Sequence, residues 1–402
     1  MNFEPEFGML RGRDILILSL SDWNENPVSS MHISAVLSEF NTVTYVEKIS
    51  RRMPKFSEIG DAWGRLRRML NGHRGEPSAG LGPGNIHLFS PFAVPVHGNR
   101  AISWFNRKLL VDQTKRLVVD RKIKDPIVWS FSPLWETVIE NLDHACWIFH
   151  CVDGLHTYDT SARFRSQYER TVCAADIVFT PGTLLEKELK RLNPDTYRIG
   201  HGCAIEHLKF RDTGEPFLLI DDIPEPRIVY AGGLPGWFDF DLLTKAAKLL
   251  PEYSFVIIGD IHPLAPQRKA KSFVALPNVY LVGRQSFIDL PRFFHRSSVG
   301  IVPYRAEDEH IRYSTPTKFI DYLASGLPVV STRFPAAEKF GSFVKLADSA
   351  EEFSVKLNQS IESDNDDERL RRRTFAGEYS WVRQVSRMSE VIENKLSEKK
   401  KG

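Results

Sequence analysis

The sequence predicts an α/β fold made of two doubly wound, Rossmann-like domains. The length of 402 residues suits two domains, and short apolar runs typical of buried parallel strands alternate with helical patterns in both halves. The clearest such unit is residues 299–332, which read as strand, loop, helix and strand. We therefore predict a first domain over 1–208, a second over 209–380, and a last helix with a basic tail over 381–402.

The helix of this clearest unit has recognisable start and stop signals. Val299–Pro303 is an apolar run that predicts a buried strand. Thr315 as N-cap and Pro316 at the first helical position predict a helix over Thr317–Ser325. Gly326 follows it as a C-cap residue. Because the second strand is parallel to the first, the helix should begin at the edge of the sheet where such folds bind ligands.

The start of this helix is suited to an anion. Unpaired N–H groups and the helix dipole favour negative charge there. Ser314, Thr315 and Thr317 add hydroxyl donors, and Lys318 adds a mobile positive charge suited to phosphate. Asp321 lies on the same face and could accept hydrogen bonds from ribose hydroxyls. A nucleoside diphosphate would fit, and an ordinary capped helix with a Lys–Asp surface pair is the alternative.

Residues 316–330 (PTKFIDYLASGLPVV) resemble the donor-site signature of GT-B glycosyltransferases. The resemblance implies a sugar transferred from a nucleotide diphosphate, no cofactor or metal, and a last helix that crosses back to the first of two domains facing a cleft. It also implies nucleotide contacts for Gly232 and Gly233, which follow the strand Arg227–Ala231. Arg284 is expected near the base, and Tyr304 is expected to pack on the nucleotide.

In the first half, the strand Asp14–Leu20 leads into a polar loop that contains Asp22. Ser29 or Ser30 then caps a helix that carries His32 in its first turn. We expect Asp22 and His32 to face the cleft, with His32 as a candidate catalytic residue, and similar GT-B proteins carry a histidine in this helix. A structural role in the packing of the domain is the alternative for His32.

Asp153 follows the predicted strand Cys146–Cys151 and precedes a glycine, so it should stand at the carboxyl end of that strand. A carboxylate there could act as a general base, and capping of the next turn is the alternative. Asp153-Gly154-Leu155 and Gly200-His201-Gly202 resemble segments of xanthan-type glucuronosyltransferases. This resemblance implies an inverting enzyme with a lipid-linked oligosaccharide or polysaccharide acceptor, and it places His201 at the domain junction.

Three alternatives to an inverting transferase stay open. Retaining GT-B enzymes carry a Glu eight residues before the acid that is Asp321 here, and Tyr313 occupies that position, so we favour inversion over retention. A nucleotide-sugar epimerase with the same fold would isomerise a sugar without an acceptor. A non-catalytic nucleotide-sugar-binding protein would turn nothing over. UDP is expected over GDP on family grounds alone.

Composition limits the partners. A net charge of +2 argues against a chain-wide nucleic-acid surface, and the four cysteines lack metal-ligand spacing. The longest N-terminal apolar run, Ile15–Leu18, is too short to span a bilayer, and the expectation is a cytoplasmic protein. Glu58–Leu70 predicts a basic amphipathic helix suited to the inner face of the plasma membrane, or a helix packed on its own domain.

Overall fold

The computed structural model describes residues 8–23, 26–49, 85–94, 100–155, 161–209 and 215–401. The chain forms two compact units: Met1–Gly200 together with Val382–Gly402 make the first, and His201–Trp381 make the second. The predicted domain boundaries after residues 208 and 380 stay a prediction.

The first unit contains a seven-stranded sheet in the order β3-β2-β1-β4-β5-β6-β7, with every neighbouring pair parallel. The central strand β1 is apolar and almost wholly buried, as a strand covered by helices on both faces must be. The strands are β1 Asp14–Leu18, β2 Thr42–Val46, β3 Ile86–Phe89, β4 Ile127–Ser130, β5 Cys146–His150, β6 Ile177–Thr180 and β7 Thr196–Arg198.

Outside the link between β2 and β3, most of which is not among the described residues, helices connect consecutive strands, as parallel pairing requires. The described helices of the first unit's chain segment are α1 Ser29–Ser38, α2 Arg100–Asp120, α3 Glu136–Ile139, α4 Ala162–Ala174 and α5 Thr183–Leu189, with a 3₁₀ turn at Pro133–Trp135. The core beneath them includes Leu16, Val128, Trp135 and Phe149, each nearly inaccessible to solvent.

The second unit contains a six-stranded parallel sheet in the order β10-β9-β8-β11-β12-β13. Its strands are β8 Arg227–Ala231, β9 Ser254–Ile258, β10 Val279–Leu281, β11 Val299–Val302, β12 Val329–Thr332 and β13 Val344–Ala347. Its described helices are α6 Ile205–Leu208, α7 Phe240–Leu249, α8 Gln267–Val274, α9 Leu290–His295, α10 Glu309–Tyr313, α11 Lys318–Ser325, α12 Pro335–Glu338, α13 Ala350–Glu362 and α14 Asp366–Gly377, with 3₁₀ turns at Phe287–Asp289 and Gly341–Phe343.

Each sheet has one point where the strand order reverses. In the first sheet it lies between β1 and β4, and in the second between β8 and β11. Loops that leave the carboxyl ends of such strand pairs diverge to opposite faces and open a crevice between them. The predicted α/β class with two Rossmann-like units is confirmed.

The two helix starts differ from the predicted ones. Helix α1 begins at Ser29 with Val28 as N-cap and no side-chain cap bond, because the hydroxyl of Ser30 contacts those of Ser19 and Tyr45 instead. Helix α11 begins at Lys318, and its first accepting carbonyl belongs to Thr317. The C-cap at Gly326 is confirmed, with a left-handed φ of 88°.

The last helix, α15 (Trp381–Lys399), belongs to the first unit apart from its first residue. Lys395 contacts Asp195 at 2.5 Å and Lys399 contacts Asp176 at 2.6 Å. The return of the chain end to the first unit, implied by the GT-B resemblance, is therefore confirmed.

Helix α11 is held at its carboxyl end by α14. The buried Arg372 donates from Nε to the carbonyl oxygen of Gly326 at 2.8 Å and also contacts Asp364. Arg373 donates to the carbonyl oxygen of Ser325 at 3.3 Å. Cations at this end favour the helix dipole and occupy carbonyls that the helix leaves unpaired.

Arg372→Ala should lower the free energy of unfolding by about 2 kcal/mol, because the carbonyl oxygen of Gly326 loses its donor and the half-buried Asp364 keeps only its pair with Arg369. Urea denaturation followed by circular dichroism measures the change. The matched control is Arg333→Ala, whose ion pair with Asp348 is exposed and should contribute about 0.5 kcal/mol or less. Equal effects of the two variants would contradict the role given to Arg372.

Candidate active site

The candidate site lies where the central strands of the second unit end. After β8 the chain turns at Gly232, which has a φ of +141°, and after β9 it turns at Gly259, which has a φ of +150°. A Cβ on Gly259 would overlap the carbonyl oxygen of Gly232. Only glycine lets these two turns pack against each other.

Lys318, the first residue of α11, lies directly against the turn after β8. A Cβ on Gly232 would stand 2.7 Å from Cε and 2.8 Å from Nζ of Lys318. The ammonium lies 5.4 Å from the ring centroid of Tyr230 and 5.8 Å from that of Tyr304, within cation–π range. Because Gly232 has no side chain, the end of Lys318 occupies the space that a Cβ at this position would fill.

The two tyrosines below Lys318 are themselves fixed. The hydroxyl of Tyr230 donates to the carbonyl oxygen of Gly233 at 2.8 Å and lies 3.4 Å from the hydroxyl of Tyr304. Tyr304 is only 4% exposed, and its backbone pairs with Phe238 and with the hydroxyl of Thr332. In this structure the Tyr304 ring lies beneath Lys318. The packing of Tyr304 on a nucleotide stays a prediction.

Asp321 stands one turn further along α11 and is partly buried. Its Oδ1 accepts from the thiol of Cys203 at 3.3 Å. Burial raises the pKa of Asp321 from 3.8 to about 6, and Cys203, Lys318 and Thr317 lower it in that order of importance. The carboxylate is therefore ionised at neutral pH.

The hydroxyl residues predicted for the site line the approach to α11. Ser314 and Thr315 are half-buried and Thr317 is exposed. The N–H of Ser314 donates to the carbonyl oxygen of His310 at 3.0 Å, so it is already used inside the protein. Arg284 is exposed and lies on a separate loop, three residues after β10.

In the first unit, Asp22 lies after β1 and is 7% exposed. Its Oδ2 lies 3.7 Å from Nζ of Lys48. His32 is in the first turn of α1 and is 8% exposed. Between β1 and β2, the hydroxyls of Ser19 and Tyr45 are 2.6 Å apart, and burial raises the pKa of Tyr45 to about 12.

Asp153 lies three residues after the end of β5 and is partly buried. Its backbone is anchored, because the thiol of the buried Cys151 lies 3.3 Å from the carbonyl oxygen of Asp153 and 3.0 Å from the hydroxyl of Tyr168. His201 begins the second unit, and burial lowers its pKa to about 4. It is therefore a neutral imidazole at physiological pH.

Three residues of the site were not singled out from the sequence. The hydroxyl of Tyr322 accepts the N–H of Ala231 at 2.9 Å, which ties α11 to the end of β8. A Cβ on Gly300 would overlap the Tyr322 ring. Tyr230 and Cys203 complete the group. Tyr230 and Tyr322 lie in segments that the sequence analysis had assigned to the site. The contact of Cys203 with Asp321 could not be predicted, because the two residues are 118 positions apart in the chain.

The described part of the chain contains no group of three or more His, Cys, Asp or Glu side chains placed to hold a metal ion. None of the helices described is long and apolar enough to cross a membrane.

Parts of the chain match known proteins in sequence. Residues 225–363 match the family model described as Glycosyl transferases group 1. The chain is 29% identical over 112 residues to the putative teichuronic acid biosynthesis glycosyltransferase TuaH of Bacillus subtilis strain 168. That match covers 27% of this chain and 27% of the relative's length.

Solved structures show the fold. HepE of Anabaena, crystallised with UDP and glucose, superimposes with a TM-score of 0.67 at 13% identity, over 94% of this chain and 99% of HepE. A glycosyltransferase from Rickettsia africae gives a TM-score of 0.66 at 13% identity, over 96% of this chain and 99% of that one.

The class follows from these findings. The chain has the GT-B fold, and residues 225–363 of its second unit are similar to the family Glycosyl transferases group 1. The curated relative, of which 27% is matched, is itself named as a putative glycosyltransferase. The predicted resemblance to GT-B glycosyltransferases is confirmed.

The raised pKa of Asp321 gives the second unit a pH-dependent stability. A carboxyl with a pKa of 3.8 when unfolded and about 6 when folded binds more protons in the folded state between those values, so stability falls as the pH rises from about 4 to 6. Asp321→Asn should remove this slope and be more stable than the wild type at pH 8 by up to about 3 kcal/mol.

Urea denaturation at a series of pH values measures this slope. Asp222→Asn, which changes an exposed carboxyl of the same unit, is the control and should keep it. A slope that survives Asp321→Asn would mean that another group titrates in this range.

Proposed function

We propose that the protein transfers a sugar from a UDP-sugar to a glycan acceptor in the synthesis of a bacterial surface polysaccharide. The observation that carries the proposal is the seat of Lys318, at the start of α11 and against the turn at Gly232. A mobile cation, a helix N-terminus and a close-packed glycine turn meet there, which is the chemistry that a diphosphate requires.

The donor would be held mainly by its diphosphate. The N-terminus of α11 and Lys318 would neutralise the phosphate oxygens, and the Gly232-Gly233 turn would let the backbone approach them. Asp321, ionised at neutral pH, would accept hydrogen bonds from ribose hydroxyls. Ser314, Thr315 and Thr317 remain proposed donors to the phosphates, and Arg284 remains a proposed neighbour of the base.

UDP is the nucleotide that the comparisons support. HepE of Anabaena was crystallised with UDP and glucose. Its identity of 13% to this chain speaks only for the fold, so the nucleotide is part of the proposal. The likeness of one segment to TuaH, named for teichuronic acid biosynthesis, supports a polysaccharide or lipid-linked oligosaccharide as acceptor.

The proposed reaction is a direct displacement with inversion. The acceptor oxygen bonds to the anomeric carbon while the bond from that carbon to the β-phosphate oxygen breaks. Asp153 takes the acceptor's proton, and UDP leaves with the electron pair, its charge balanced by Lys318 and the helix dipole. His32 is proposed as a second catalytic residue, and Asp22 and His201 are proposed to line the acceptor side.

Two further parts of the proposal concern location. We place the protein in the cytoplasm, at the inner face of the plasma membrane. The basic helix predicted over Glu58–Leu70 lies outside the described residues, and its membrane contact stays a prediction. Reversing the charges of Arg65, Arg67 and Arg68 tests it by binding to anionic vesicles.

Lys318→Ala should lower kcat/KM for the UDP-sugar by about 10²- to 10³-fold, because the departing diphosphate loses its nearest charge. Thermal shift in UDP gives an independent reading. A ligand at a hundred times its Kd stabilises by about 2.7 kcal/mol, and the variant should show much less. Lys271→Ala, an exposed lysine of the same unit, is the control.

A second variant reaches the same site without removing the charge. In Gly232→Ala the new Cβ would take the place of the lysine's end, so donor affinity should fall with Lys318 still present. Gly236→Ala, whose Cβ would lie 3.7 Å from the carbonyl oxygen of Leu264, should bind normally. If the single variants Lys318→Ala and Gly232→Ala both kept the wild-type kcat/KM, the diphosphate would have to bind elsewhere.

Asp153→Asn should lower kcat by about 10²- to 10⁴-fold, the usual contribution of a general base, and leave the KM for the donor near its wild-type value. Asp143→Asn, an exposed residue before the start of β5, is the control. Proton NMR of the first product should show an inverted anomeric configuration. A retained configuration, or near-normal turnover in Asp153→Asn, would refute the assigned role.

A further inference from the structure

A cavity of about 290 Å³ lies in the helical layer on one face of the first sheet. The connections from β3 to β4, β4 to β5 and β5 to β6 all lead in one direction along the sheet, so right-handed crossovers put α2, α3 and α4 on the same face. Helix α3 has only four residues, which leaves this layer thin between its longer neighbours. We call the space the α2–α4 cavity, and its lining residues are Arg107, Glu136, Thr137, Ser166, Gln167 and Arg170.

All the lining side chains of the α2–α4 cavity are polar, and one group of them is held rigidly by the protein. Glu136 is buried, and its carboxylate accepts from Nε of Arg170 at 2.6 Å and from Nη2 at 3.1 Å. The remaining nitrogen of Arg170, Nη1, donates to the hydroxyl of Ser166 at 2.9 Å. This guanidinium is therefore fixed on all sides, and the charge of Glu136 is balanced by it.

The other three lining side chains keep their hydrogen-bonding groups available. The guanidinium of Arg107, the hydroxyl of Thr137 and the amide of Gln167 have no hydrogen-bond partner among the residues that the structure describes. All three residues are half-buried. Together they offer cationic donors, one hydroxyl, and an amide that both donates and accepts. A ligand with several hydroxyl groups would satisfy them better than an apolar one.

The lining of the α2–α4 cavity carries one positive charge in excess, because Glu136 is its only acid against Arg107 and Arg170. The positions one turn away from Arg107 in α2 hold no acidic residue. Arg107 also forms no ion pair with any residue in the described ranges. Glu140, the other acid close to Arg170, is exposed, so solvent screens its charge. The charge of Arg107 is thus the one that a ligand with a single negative charge would balance.

The α2–α4 cavity lies toward the edge of the first sheet at which Asp153 stands. Helices α2, α3 and α4 each follow the carboxyl end of a strand, and so does Asp153. Glu136 is the first residue of α3, Gln167 the sixth of α4 and Arg107 the eighth of α2. At about 1.5 Å of rise per residue, each lies within about 11 Å of the start of its helix. A chain of several sugars that reaches Asp153 could therefore extend from this edge to the cavity.

We propose that the α2–α4 cavity binds one acidic sugar unit of a glycan chain. The carboxylate or phosphate of that sugar pairs with Arg107, since a guanidinium matches the geometry of either group. Thr137 and Gln167 form hydrogen bonds with its ring hydroxyls. The cavity volume is close to the lower end of small-molecule sites, which suits a single sugar. That the chain is the acceptor rests on the proposed function, whereas the binding of the sugar does not.

The first test compares D-glucuronate with D-glucose, which carries a hydroxymethyl group in place of the carboxylate. Isothermal titration calorimetry on the full chain, without a donor, should show D-glucuronate binding at least about tenfold more tightly. Glucose 6-phosphate distinguishes a phosphate from a carboxylate as the acidic group. Inorganic phosphate, which has no ring, should bind more weakly than either acidic sugar. Because no donor is present, the result does not depend on the proposed transfer.

The second test uses variants of the cavity lining. Arg107→Gln should lower the affinity for D-glucuronate about tenfold and leave that for D-glucose unchanged, because only the charge is removed. Lys115→Gln removes an exposed charge from the same helix and should bind normally. Thr137→Ala with Gln167→Ala should weaken both sugars alike. These side chains have no partner among the described residues, so all the variants should keep the wild-type melting temperature, and the double variant tests the cavity should Arg107→Gln not fold.

Four results would overturn the proposal. The first is no saturable binding of any acidic sugar, and the second is equal affinity for D-glucuronate and D-glucose. The third is inorganic phosphate binding as tightly as the acidic sugars, which would show a site for an adventitious ion only. The fourth is binding that Lys318→Ala removes and Arg107→Gln does not, which would place the sugar in the candidate active site of the second unit. Failure of the proposed transfer would appear instead as a loss of turnover with the cavity still binding D-glucuronate.

Discussion

The contact between Lys318 and Gly232 determines how the second unit is built around its site. A lysine ammonium packed on backbone needs a residue without a side chain beneath it, and the turn after β8 supplies one. The cation then lies over two tyrosine rings whose hydroxyls are fixed by backbone and by each other. Tyr322 in turn ties the same helix to the end of β8. The end of β8, the turn at Gly232 and the start of α11 are thus arranged so that the Lys318 side chain fits between them.

Much of this arrangement was readable from the sequence, because buried parallel strands are short continuous apolar runs. Arg227–Ala231 was predicted with its observed bounds. The strands β3 and β13 were not predicted, since edge strands of four half-buried residues carry no clear period. The predicted helix starts were wrong for a different reason. Serine is a common N-cap residue, yet the hydroxyl of Ser30 contacts Ser19 and Tyr45 instead.

The candidate site divides in the same way. The charged and hydroxyl residues around Lys318 could be predicted, because they lie within a few positions of one helix start. The contact from Cys203 to Asp321 could not, since it joins residues 118 positions apart and a lone cysteine has no local pattern. Its effect on Asp321 is opposed by burial, which is the larger influence and leaves the pKa at about 6. Properties that depend on burial follow from tertiary structure alone.

Helix α15 gives the chain an unequal order of assembly. Arg13 and Glu393, which contact each other at 3.5 Å, are 380 residues apart, whereas the second unit is one uninterrupted stretch. During synthesis the second unit can emerge and fold while the first still lacks its last helix. A nascent chain would therefore expose the surface that Lys395 and Lys399 later cover. Premature release from the ribosome, before α15 is made, would leave a protein with a folded second unit and a first unit that lacks its last helix.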